Sequence, residues 1–281
     1  MILVKDVDRA VLPPCTATIG FFDGVHEGHR FLLGRVIEEA RNAGTASMAI
    51  TFGRHPREVT DSGYVPKLLT TPRRKIELIE TTGIDYTVLL PFDKDMASLS
   101  AHDFMAKVLS ARLNVRRLVI GYDNRFGHNR EEGFDEYVRY GRELGIEVLH
   151  SPAFVLDGNR VSSSLVRRLL ADGQVEKASK CLGRYYSISG NIVSGYHIGR
   201  RMGFPTANLQ PEDSRLLLPA DGVYAVKVDV EGFFTGRKAM TNVGMRPTFG
   251  GQYTTIETFI PDFSGDLYNR SMTVSFFRRI R

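Results

Sequence analysis

Cysteine is scarce. The 281 residues hold two, Cys15 and Cys181, far apart and without metal-ligand or redox spacing, which argues against a disulfide framework and for buried thiols in a reducing compartment. Long apolar runs are lacking too: no segment approaches the roughly eighteen uninterrupted apolar residues of a membrane helix. The opening Met1-Ile-Leu-Val-Lys-Asp-Val-Asp8 has no basic region followed by an apolar stretch and a small-residue cleavage site, the pattern of a secretory signal. The expectation is a cytoplasmic chain with no membrane partner. Blocks of like charge are also missing. The net charge of +5 is spread over separated pairs such as Arg73-Arg74, Arg116-Arg117, Arg167-Arg168 and Arg278-Arg279. Such scatter reads as a solvated surface, and a modest positive balance also suits an enzyme with polyphosphate substrates, so the charge by itself separates no functions. There is no internal repeat and no low-complexity stretch.

What is present is the composition of a globular protein, 42% hydrophobic and 25% charged, long enough for one large domain and a smaller one. Over residues 1–183 short apolar runs alternate with helical patterns, which predicts a Rossmann-like α/β domain with a doubly wound parallel sheet. Strands are expected at Ala17–Phe22, Ala46–Phe52, Tyr86–Leu90, Arg117–Gly121 and Glu147–Leu149. Helices are expected at Glu27–Ala43, stopped by Gly44, after Thr71-Pro72, after Ser100 and over Phe134–Leu144, from 3.6-residue apolar spacing and terminal cap residues. From residue 184 to 281 the helical periodicity disappears. Short alternating segments at Tyr185–Val193, Gly222–Val230, Phe233–Ala239, Thr254–Ile260 and Met272–Phe277 are divided by glycine turns, as in a small antiparallel β-barrel.

The chemistry begins at Gly20-Phe-Phe-Asp-Gly-Val-His-Glu-Gly-His29, between an apolar strand and an amphipathic helix. Free amides and the positive end of a helix dipole favour an anion there, and His26 and His29 would add imidazole donors. Gly20, Gly24 and Gly28 allow a tight turn and close approach of a ligand. A second segment, Arg160-Val-Ser-Ser-Ser-Leu-Val-Arg167, opens another helix; serines there commonly serve as plain caps, and it is the pairing with the first motif that makes Ser163, Ser164 and Arg167 candidates for phosphate. Between the two lies Gly121-Tyr-Asp-Asn-Arg-Phe-Gly127, at the carboxyl end of an expected strand, where a doubly wound fold meets its ligand. The barrel half carries Gly199-Arg-Arg-Met-Gly-Phe-Pro-Thr-Ala-Asn208, Asn242-Val-Gly-Met-Arg-Pro-Thr-Phe249 and Thr255-Ile-Glu-Thr-Phe259. Taken alone, Glu257 reads as an exposed strand residue and Thr206 and Asn208 as ordinary turn residues.

The first motif resembles the H-x-G-H signature of the nucleotidyltransferase superfamily, and the Gly-Phe-Pro-Thr-Ala-Asn segment resembles the riboflavin kinase module. In this order, over nearly the whole chain, they resemble the bacterial bifunctional riboflavin kinase and FAD synthetase family. The resemblance implies a transferase with two reactions: riboflavin and ATP give FMN and ADP, then FMN and ATP give FAD and pyrophosphate, both with Mg2+. It implies that Gly20, Phe22, Asp23, Gly24, His26, Gly28, His29, Asp123, Arg160, Ser163, Ser164 and Arg167 handle ATP in the adenylyltransferase half, with His26 and His29 catalytic. Gly199, Gly203, Pro205, Thr206 and Asn208 would serve ATP and magnesium in the kinase half, Thr206 and Asn208 being the metal ligands and Glu257 the general base. Asn242, Arg246 and Asn124 would contact flavin. The chain departs from the family at Asn124, where an aromatic residue is common, and at Phe259, where His is common. The family usually continues past Arg281 through a helical segment, so the kinase half is expected to lack its cover. The partners implied are riboflavin, FMN and ATP, with no nucleic acid or membrane, for a monomer or weak oligomer. Rival readings are another H-x-G-H transferase, for which the kinase-like module would have no use, and a non-catalytic flavin or nucleotide binder.

Overall fold

The computed structural model describes residues 1–128, 131–194, 206–248 and 251–281. It divides into two compact units, one of residues 1–66 and 70–161, the other of residues 67–69 and 162–281.

The first unit is built on a six-stranded, wholly parallel sheet of β1 (Ile2–Val4), β2 (Cys15–Ile19), β3 (Ala46–Phe52), β4 (Tyr86–Leu90), β5 (Val115–Ile120) and β6 (Glu147–His150), in the order β1-β4-β3-β2-β5-β6. The helices are α1 (Glu27–Ala43), α2 (Pro56–Thr60), α3 (Pro72–Glu80), α4 (Lys94–Ser98), α5 (Ala101–Asp103), which runs into a π-helical segment Phe104–Ser110, and α6 (Phe134–Leu144). Helix α1 ends where expected, at Gly44 with φ 63°, whose N–H reaches back to the Ala40 and Arg41 carbonyls. That is a left-handed glycine stop. Thr71 caps α3 and Pro72 occupies its first turn. Strand β2 ends at Ile19, three residues before the apolar run does, because Phe22, Gly24 and Val25 adopt φ of 54°, 82° and 38°, which no strand contains. The order matters for function. From β2 the chain builds outward through β3 and β4, then crosses back to set β5 on the other side of β2. The switch point of this doubly wound sheet therefore lies at the carboxyl ends of β2 and β5. A short hairpin, β7 (Val155–Leu156) and β8 (Asn159–Arg160), follows.

The second unit contains α7 (Ser163–Ala171), α8 (Val175–Leu182) and a closed antiparallel barrel of β9 (Tyr186–Val193), β10 (Thr206–Pro211), β11 (Gly222–Val230), β12 (Phe234–Thr248), β13 (Gly251–Phe259) and β14 (Ser271–Arg279), ordered β10-β13-β12-β11-β14-β9. Alternation fills its interior: Ile188, Ile192, Leu209, Val226, Val243, Ile256 and Val274 are buried, and their neighbours in sequence face outward. Strand β10 and helix α8 were not anticipated from periodicity. No described helix is long and apolar enough to cross a membrane.

Gly190 shows how tightly the barrel closes. A Cβ there would collide with the Gln210 carbonyl and sit 2.9 Å from the Cα of Pro211. Gly190→Ala is expected to destabilise the barrel by about 1–3 kcal/mol, read as a lower urea midpoint; an unchanged midpoint would contradict the packing.

Candidate functional site

The turn after β2 is held from three directions. His26 caps α1, its Nδ1 accepting from the His29 N–H at 3.2 Å, so the neutral ring carries its proton on Nε2. One ring nitrogen is thus spent on the helix. The two imidazoles stack with centroids 3.6 Å apart, and Phe22 meets His29 edge-on at 5.2 Å. Buried Asp23 accepts from Thr70 N at 3.1 Å and Thr70 Oγ1 at 3.2 Å, and Thr70 Oγ1 accepts from Gly24 N–H at 3.1 Å. Gly28 leaves space that is otherwise full: a Cβ would lie 2.9 Å from the Val161 carbonyl and 3.1 Å from the His26 ring.

Across the switch point, the Asn124 side-chain amide donates to the Ile19 carbonyl, tying the loop after β5 to the end of β2. Asp123 is exposed. The exposed guanidinium of Arg160 lies 4.6 Å over the ring of Tyr122, placing Arg160 beside that same loop. At the carboxyl ends of β2 to β5 opens a cavity of about 790 Å³. Phe21, Phe52, Phe92, Phe104 and Phe126 line it, with Asn124 among the polar groups, a size and lining suited to a planar aromatic ligand.

Beneath it lies a lysine that sequence reasoning passed over. Lys75, only 2% exposed, donates from Nζ to the Phe21 carbonyl (3.0 Å), Thr51 Oγ1 (3.1 Å) and the Phe52 carbonyl (2.8 Å). Burial pushes its ammonium down to about 8 from its ordinary 10.5, against the opposing pull of Asp23.

The barrel forms a second constellation by register. Glu257 on β13 stands directly opposite Asn208 on β10 and Asn242 on β12, so the three side chains project from the same outer face with neighbouring Cβ atoms about 5 Å apart. Thr255 Oγ1 lies 3.2 Å from Glu257 Oε1. Thr206 and Asn208, two apart on β10, both line a cavity of about 540 Å³ closed by Phe263, Leu267 and Tyr268. Arg246 is placed by its backbone alone, on β12 opposite Tyr253. Gly199, Gly203 and Pro205 lie outside the described residues, as does Gly250 of the expected Gly250-Gly251 turn.

Two family models divide the chain in the same sense: that of FAD synthetase matches residues 8–165 and that of riboflavin kinase residues 182–281. The bifunctional riboflavin kinase/FMN adenylyltransferase of Escherichia coli K12 is 36% identical, covering 99% of this chain and 88% of its own length. The protein of the same name from Pseudomonas fluorescens is 37% identical, over 95% and 85%. The chain belongs to the bifunctional riboflavin kinase/FMN adenylyltransferase family. A solved structure from Streptococcus pneumoniae, described as a macrolide-efflux protein, shares the fold at a TM-score of 0.88 and 31% identity, over all of this chain and 90% of that one. Like other riboflavin kinase/FMN adenylyltransferases, the chain uses ATP and flavins.

The residues from Gly20 to His29 fall together with Asp123, Asn124 and Arg160 in the first unit, whereas Ser163, Ser164 and Arg167 fall in the second. There Ser162, rather than Ser163 or Ser164, caps α7, accepting from Leu165 N–H at 3.2 Å, and Arg167 Nε donates to the Lys67 carbonyl at 2.7 Å. The cavity phenylalanines and Thr70 were also missed, since each reads locally as core or turn.

Lys75 yields a pH signature. Its folded pKa lies below its unfolded one, so between pH about 8 and 10.5 the unfolded chain holds a proton that the folded chain has lost, and stability rises with pH. Against Lys75→Met, the wild type is expected to gain up to about 3 kcal/mol across that window, measured by urea unfolding; parallel pH profiles would refute the assignment.

Proposed function

We propose that the two reactions of this bifunctional enzyme occur at these two constellations: riboflavin is phosphorylated on the outer face of the barrel around Glu257, and FMN is adenylylated at the Gly20–His29 turn. The observation that carries this reading is the partition itself, with the stacked histidines in one compact unit and the Asn208–Glu257–Asn242 row in the other.

In the barrel, Glu257 takes the proton of the riboflavin 5′-hydroxyl as its oxygen attacks the γ-phosphorus of ATP. The bond to ADP breaks as the new O–P bond forms, so the carboxylate acts at the one proton that must leave. Asn242 and Arg246 orient the flavin, while Gly199, Gly203 and Pro205 serve the nucleotide. Thr206 and Asn208 fit magnesium: two neutral oxygen donors on one strand face suit an ion that keeps waters and nucleotide phosphates as its other ligands. Mg2+ held there would supply charge neutralisation for the transferring phosphoryl group.

At the turn, an FMN phosphate oxygen attacks the α-phosphorus of ATP and pyrophosphate leaves. The nucleophile is already ionised, so no general base is required, and the work is positioning and charge stabilisation. His26 and His29, with the free amides opening α1, take the developing charge. Gly20, Gly24 and Gly28 let the nucleotide approach the backbone, and Phe22 and Asp23 hold the turn that presents it. Asp123, in the loop after β5, and Arg160, on β8, reach the nucleotide. The aromatic cavity, with Asn124 on its wall, takes the isoalloxazine of FMN.

Incubation with riboflavin, ATP and magnesium, followed by chromatography of FMN and FAD, separates the sites. His29→Ala is expected to make FMN normally yet lose about 100- to 1000-fold in FAD formation. Glu257→Gln should do the reverse, halting phosphorylation while still converting supplied FMN. Loss of both steps in either folded variant would defeat the two-site assignment.

A further inference from the structure

We propose that Lys75 is a positioning residue for the adenylylation step, its buried ammonium fixing the spacing between Phe21 and Phe52, two wall residues of the cavity assigned to the acceptor. The proposal rests on the reading that this cavity receives FMN. It adds a residue that lines neither the cavity nor the histidine turn.

Geometry carries the argument. The ladder between β2 and β3 closes with Gly20 N–H donating to the Ile50 carbonyl at 3.0 Å. Past that rung, the Thr51 hydroxyl donates to the Phe21 carbonyl at 3.1 Å, and Lys75 Nζ spans the Phe21 and Phe52 carbonyls and Thr51 Oγ1. An ammonium has three hydrogens, and here each has an acceptor. The ring of Phe21 also lies 4.2 Å from Nζ, within cation–π range, so Phe21 is held through both its carbonyl and its ring. Packing alone would be served better by Met or Leu, since burying a cation is costly unless directional bonds offset it. What the cation adds is a fixed separation between two strand ends where the sheet no longer supplies one. Both strand ends bear phenylalanines that face the cavity, so loosening them should weaken acceptor binding and leave ATP and the chemical step alone.

The experiment uses the full chain, with adenylylation rates at varied FMN and varied ATP and with riboflavin phosphorylation as an internal control for folding. Lys75→Met should raise the KM for FMN by about tenfold while kcat, the KM for ATP and the kinase rate stay at wild-type values. Thr51→Val, which removes one acceptor of Lys75 without changing side-chain volume, should give a smaller rise of the same kind and decides the matter if Lys75→Met does not fold. An unchanged KM for FMN, or a loss confined to kcat, overturns the proposal. Phe92→Ala, which alters the cavity wall and leaves Lys75 and its three acceptors in place, separates the two ideas: if it leaves the KM for FMN unchanged, the cavity reading falls, whereas a raised KM there beside an inert Lys75→Met condemns only the role of Lys75.

Discussion

Phe22 and Val25 have side chains yet hold left-handed backbone angles, φ 54° and 38°, each a conformation costing about 1–3 kcal/mol. Such a turn persists only if its surroundings over-determine it. They do: Phe22 and Val25 are buried, Val25 N–H donates to the Phe22 carbonyl at 3.1 Å, and Asp23 and Gly24 are pinned to Thr70. The strained turn ends β2 early, sets His26 as the cap of α1 and presents His29 one turn into the helix. The placing of both histidines follows from that bend.

The barrel solves a different problem with a different device. No single segment concentrates its polar groups; antiparallel pairing lines up Asn208, Glu257 and Asn242 from three strands. Pleating then sends Ile256 and Thr258 inward and Glu257 outward, so the carboxylate stands over a solid core that fixes its position without burying its charge. Strand register here plays the part that the helix cap plays in the first unit.

Much of this was legible locally. Helices α1 and α6 and strands β3, β4 and β11 have the limits that periodicity and caps predict, because glycine stops, N-caps and apolar spacing act within a few residues. The glycine-histidine turn was legible for the same reason. Strand β10 was not, since its residues Thr206-Ala-Asn-Leu follow a glycine- and proline-rich stretch and carry no strong alternation. Strand β12 runs to Thr248, well past the expected Ala239, because pairing with β11 and β13 extends a strand that propensity alone would end. Nothing in Pro72-Arg-Arg-Lys75 marks its lysine as buried, and only the acceptors beyond β2 and at the end of β3 explain its burial.

By itself, then, the sequence determined the order of the two modules, the elements bounded by local signals and the chemical character of each motif, because those depend on residues near one another along the chain. Tertiary structure decided which residues meet: that Glu257 faces Asn208 and Asn242, that five phenylalanines from scattered segments make one cavity, that Ser162 and not its neighbours caps α7, and that Lys75 ties the turn after β2 to the end of β3. These are contacts between residues tens of positions apart. They follow from strand order, register and burial, quantities set by the whole fold and written in no single stretch of the chain.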